Sequence, residues 1–129
     1  MFDSLEVFRM AEGLARHAAA RQSVVARNIA NVNTPGYRQR DIASFAEVYR
    51  PAEADAPMRR TRPGHLAAAD GLTLPRQQVV AEARAAPNGN SVSLETEIVK
   101  SAELRQQHEM ALSIYRSALS VLRTSLGRQ

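Results

Sequence analysis

The sequence predicts an all-α fold, in which two long terminal helices form a coiled-coil-like hairpin and a mostly irregular central segment carries one short helix. Apolar residues recur at spacings of three and four over about 25 residues at each end of the chain, the period of a helix seam. Pro-Gly and Asn-Gly turn signals bound both runs on their inner sides, and the middle is rich in Pro, Ala and Arg with no sustained period. The divisions that follow are an N-terminal helix over 1–33, a central loop region over 34–90 and a C-terminal helix over 91–129.

The first helix is expected to begin near Asp3, with Glu6 completing a capping box and Phe2 and Val7 forming a hydrophobic staple. Its seam is Phe8, Ala11, Ala15, Ala18, Gln22, Val25, Ile29 and Val32. Alanine dominates that seam, which permits close helix approach and buries little area per position. Asn28 and Asn31 share a face beside the stripe, although asparagine is a poor helix former. Each carboxamide can bond a neighbouring backbone or a partner chain, and the simpler reading has Asn31 and Asn33 capping the helix end. Thr34-Pro35-Gly36-Tyr37 suits a type II turn, with Gly36 supplying the positive φ.

In the centre, Asp41 to Arg50 places Ile42, Phe45, Val48 and Tyr49 on one helical face and ends at Pro51, which predicts a short amphipathic helix. Pro51 to Pro57 and Thr61 to Gly64 read as loop, and Leu72-Thr73-Leu74 and Gln78-Val79-Val80 as short extended pieces. So long a connection with little apolar content is expected to take its order from a partner.

The last helix opens after Pro87-Asn88-Gly89-Asn90, with Ser91 or Ser93 as N-cap and Glu95 and Glu97 near the positive end of the helix dipole. Its seam runs Leu94, Ile98, Ser101, Arg105, His108, Leu112, Tyr115, Leu119, Leu122 and Leu126. Arg123 in the last turn and Gly127 beyond it are a favourable C-terminal arrangement. An alanine seam facing a leucine seam predicts that the two ends pair.

Composition narrows the functional classes. With 5% aromatic residues, no Trp and no Cys, the chain lacks the bulk of a compact enzyme core and any thiol chemistry. His17, His65 and His108 fall in three different elements, Glu95 and Glu97 point to different helix faces, and no phosphate-binding glycine loop or nucleophile elbow is present. No catalytic, cofactor or metal residues are therefore assigned. The formal charge of +4, from 17 basic and 13 acidic residues, is spread thinly. Arg59, Arg60 and Arg62, with Arg38 and Arg40, are the only local basic clusters, and nucleic-acid binding through them is an alternative ranked below a solvated loop. A coiled-coil adaptor or export chaperone is another. No apolar run is long enough to predict membrane insertion, and the first residues lack the features of a cleaved signal. A lone two-helix hairpin leaves much of each seam wet, so the chain is expected to be marginal by itself and stable in an assembly.

The block Asn28, Ile29, Ala30, Asn31, Thr34, Pro35, Gly36 and Tyr37 resembles the N-terminal signature of the flagellar basal-body rod and hook family, A-x-N-I-A-N-x-x-T-P-G-Y at the end of a first long helix. The tail from Val92 to Leu126, with Leu94-Glu95-Thr96-Glu97, Tyr115-Arg116 and Leu122-Arg123-Thr124, is similar to the C-terminal helix of the family's short proximal-rod members. The two segments cover about half the chain. The resemblance implies a structural subunit of the proximal rod, self-associating and bundled with other proximal rod subunits near the basal-body adaptor protein and the flagellar export gate. It also implies export without signal-peptide cleavage to a periplasmic rod. In that setting Asn28 and Asn31 are expected to fix register between subunits, and Thr34 to Tyr37 to turn the chain outward with Tyr37 anchored on an apolar surface.

Overall fold

The computed structural model describes residues 2–49, 78–80 and 84–127, with side chains from Glu6 onward. In chain order the elements are α1 (Phe2–Ala30), β1 (Arg40–Asp41), α2 (Phe45–Val48), β2 (Gln78–Val79) and α3 (Leu94–Leu126). The expected cap at Asp3, the staple at Phe2, the loops over 51–64, Leu72-Thr73-Leu74 and the arginines 59, 60 and 62 lie outside the described residues.

Helices α1 and α3 form an antiparallel hairpin. The rings of Phe8 and Tyr115 meet edge to face with centroids 5.2 Å apart, Gln22 Nε2 donates to Ser101 Oγ at 2.8 Å, and Asn28 Nδ2 donates to Glu97 Oε2 at 2.9 Å. The first residue number rises as the second falls. Leu126, in the last turn of α3, is 80% exposed.

Ala11, Ala18 and Val25 of α1 are buried, and Leu104 and Ala111 of α3 face them with Glu97. These are heptad intervals, the pattern of two helices packed along a seam. The remaining expected seam positions of α1, Phe8, Ala15, Gln22, Ile29 and Val32, are half-buried. On α3 the buried line is one residue out of phase with the expected one. Leu104 and Ala111 turn inward where Arg105 and Leu112 were expected, and Leu94, Ile98, Leu112, Tyr115 and Leu119 stay exposed, with Leu122 half-buried. The rotation brings Glu97 to its donors. An unsatisfied buried carboxylate costs more than several half-wet leucines.

Residues 37–49 run back along a second face of α1, beside His17, Arg21, Val24 and Asn28. Ile42 is buried there, and His17 Nε2 bonds the Ala43 carbonyl at 2.7 Å with the Phe45 ring edge-on, centroids 5.6 Å apart. The short helix is smaller than the expected Asp41 to Arg50. Asp41 and Arg40 are instead extended and pair antiparallel with Gln78 and Val79, and Val80 N donates to Gln39 O at 2.9 Å. Ser44 is the N-cap of α2, where the Glu47 carboxylate accepts from the Ser44 amide and hydroxyl, both at 2.8 Å. Gln78 to Val80 are extended, in keeping with the sequence expectation.

Candidate assembly site

The turn after α1 has the conformation its residues dictate. Tyr37 N donates to Thr34 O at 3.2 Å and Gly36 has φ +71°, which with proline at the second position is a type II turn. A second turn, Ala86 to Gly89, packs against it. Gly36 N donates to Asn88 O at 3.0 Å, Ser91 N donates to Tyr37 O at 3.1 Å, and a Cβ on Gly89, whose φ is +80°, would stand 3.3 Å from Gly36 Cα. Only glycine combines that φ with that approach. The buried Asn90 sits behind both turns. Its Nδ2 donates to the carbonyls of Asn31 and Val32 at 2.9 Å and Thr34 at 2.8 Å, serving oxygens that the helix end leaves free. Asn31 acts locally: its Nδ2 donates to Arg27 O at 2.8 Å and its Oδ1 accepts from Thr34 Oγ1 at 3.2 Å.

Asn28 is fully buried. Its carboxamide pairs with the backbone of Arg40 as a strand would, Nδ2 donating to Arg40 O at 2.7 Å and Oδ1 accepting from Arg40 N at 3.2 Å. The second amide hydrogen goes to Glu97 and the second lone pair accepts from Tyr37 Oη at 3.2 Å. All four bonding capacities of the side chain are used within one chain. Glu97, also fully buried, accepts from Gln39 Nε2 at 2.6 Å on its other oxygen, with Lys100 Nζ 3.4 Å away. Gln39 N in turn donates to Ser91 Oγ at 2.8 Å.

Two turns back along α1, Arg21 grips Asp41 with a two-point fork, Nε to Oδ1 at 2.7 Å and a terminal nitrogen to Oδ2 at 2.9 Å. Lys100 Nζ donates to Oδ2 from α3 at 3.0 Å. Burial alone would raise the Asp41 pKa, but the bonds from Arg21, Lys100 and the Ile42 amide outweigh it and bring it down to about 2. Arg21, Asp41, Lys100, Glu97, Asn28 and Gln39 thus form one polar clasp joining α1, the returning segment and α3.

Of the sequence block that carries the resemblance, Asn28 is a member of this clasp and Tyr37 bonds to it through Asn28. The pattern of the family described as "Flagella basal body rod protein" matches residues 9–38, which is α1 from its second turn through the Pro-Gly turn. The chain is 32% identical over 116 residues to the flagellar basal body rod protein FlgB of Agrobacterium fabrum, covering 88% of this chain and 87% of that one. Against the FlgB of Escherichia coli it is 32% identical over 122 residues, 88% of each chain. The chain belongs to the flagellar basal body rod protein family. A third FlgB, from Cereibacter sphaeroides, is 32% identical over 110 residues and 82% of each chain.

The family block does not act as one unit. Asn28 is buried, Ile29, Asn31 and Tyr37 are half-buried, and Ala30, Thr34, Pro35 and Gly36 are exposed. Asn28 turns its bonds inward, where the sequence reading had aimed them at a neighbouring subunit. Tyr37 anchors on Asn28 through its hydroxyl, and the turn doubles the chain back along α1 instead of sending it outward. Gln39, Asp41, Asn90 and Glu97 were missed as site residues. The signal for Glu97 was its heptad spacing to Leu104 and Ala111, obscured because apolar periodicity skips a carboxylate. Among the described residues no group of three or more His, Asp or Glu is placed to hold a metal, and no helix is long and apolar enough to cross a membrane.

Proposed function

We propose that this chain is a structural subunit of the proximal rod of the bacterial flagellar basal body, polymerising with other rod subunits through its two terminal helices. One observation carries the reading: a chain matched across most of its length to FlgB rod proteins leaves Leu94, Ile98, Val99, Met110, Leu112, Leu119, Val121 and Leu126 exposed along a single long helix. A lone soluble protein rarely leaves so long an apolar array uncovered. The clasp fixes the hairpin's internal register, and the uncovered face of α3 joins neighbouring helices.

Family membership further supports a place at the base of the rod, beside the adaptor protein and the export gate, reached by export without signal-peptide removal. Purified basal bodies test this directly. The chain is expected in the rod fraction at the mass of its unprocessed sequence, and its absence from basal bodies of a motile strain would refute the assignment.

A further inference from the structure

The two flanks of the hairpin seam are not alike. On one side of the Ala11–Ala18–Val25 line stand His17, Arg21 and Asn28, all bonded to residues 40–43. On the other stand Phe8, Glu12, Ala15, Ala19 and Ala26, where Gln22 meets Ser101 and Glu12 is paired with Arg16. Small residues there and the antiparallel pairing leave a shallow trough whose far wall is Leu94, Ile98, Leu112 and Leu119 of α3, all exposed. Along its outer rim run Arg105, Arg116 and Arg123, 11 and 7 residues apart and so in one line on the helix. All three are exposed, and among the described residues no ion pair involves them. Glu109 is the one acidic residue close to that line.

We propose that this trough receives an amphipathic helix of a different chain, one whose apolar seam is flanked by acidic residues. The proposal rests on the rod reading for its biological setting and on charge complementarity for its occupant. Leucines give a docked helix its apolar contact, and three unpaired guanidiniums select carboxylates beside the contact, as flanking charges do in helix pairing. A second copy of this chain fits less well, because its leucine flank carries the same three arginines and its other α3 flank offers Glu103 as its only acid beside Val99, Met110, Ile114 and Val121.

The test uses the full chain and two synthetic helical peptides with the same leucine seam, one flanked by glutamate and one by lysine. At low ionic strength the glutamate peptide is expected to bind about tenfold more tightly, the sum of three modest ion pairs. A triple variant, Arg105→Glu with Arg116→Glu and Arg123→Glu, changes only exposed side chains and should reverse the preference with helicity by circular dichroism lowered by no more than the last turn of α3, where Arg123 faces the negative end of the helix dipole. Equal binding of both peptides, or an unreversed preference, overturns the proposal. Self-association lost on Leu112→Lys but insensitive to the triple variant would assign the trough to a second copy and overturn it as well. Recovery of the chain in basal bodies tests the rod reading separately, so either idea can fail without the other.

Discussion

Asn28 illustrates how a residue chosen against its helix propensity can be the centre of a fold. Replacing it with alanine removes four bonds and strands the Arg40 backbone and a share of the Glu97 carboxylate in a dry site. Asn28→Ala is therefore expected to cost about 2–4 kcal/mol in urea unfolding, while Asn31→Ala, which loses two exposed local bonds and gains a better helix former, stays within about 0.5 kcal/mol. Equal losses would show that the clasp is not what holds the hairpin. Asp41 sets an acid limit. Its carboxyl lies near 2 in the folded chain against an ordinary 3.8, so its contribution is fully present above about pH 4 and is lost as pH falls toward 2. The window should amount to about 2 kcal/mol, and Asp41→Asn should flatten it in an acid titration of stability. Gly89→Ala forces a side chain into positive φ against Gly36 and is expected to cost about 1–2 kcal/mol.

At the scale of elements, much of the hairpin was legible in the sequence because its signals are local. The seam period, Ser93 as N-cap of α3, the Pro-Gly turn and Gly127 after Arg123 each depend on neighbours a few residues away. What escaped is non-local. Nothing near Asp41 announces that Arg21 and Lys100 will hold it extended, so a helical period there lost to strand pairing and an ion cluster. The phase of α3 escaped for a related reason, since Glu97 determines which side turns inward. The two seams of α3 give a test. Leu104→Asp puts a charge into the buried line and should unfold the hairpin, whereas Leu119→Asp lies on the exposed flank and should leave thermal unfolding nearly unchanged while abolishing rod assembly and swimming. Loss of folding in Leu119→Asp would move that residue into the intrachain core.

At the scale of the molecule, the described residues form a hairpin secured at one end. Near the turns, the polar clasp, Asn90 and two glycines hold α1, α3 and the returning segment together. Toward the other end Val7, Met10, Tyr115, Val121 and Leu126 are all exposed. Purified protein is expected to be largely monomeric at low concentration and to associate as concentration rises, read by sedimentation velocity. A concentration-independent compact monomer would contradict the rod reading. Amide exchange should be slowest around Asn28 and Glu97 and fastest near the chain termini.

A clasp at one end only gives this object an arrow. Its clasped end spends its polar groups on bonds within the chain, while the end that holds Phe8 and Tyr115 leaves Val7, Met10, Val121 and Leu126 exposed, so the two ends offer a neighbour different surfaces. A shaft in which every subunit pointed the same way would carry that difference from end to end, presenting one surface at its base and another at its outer end.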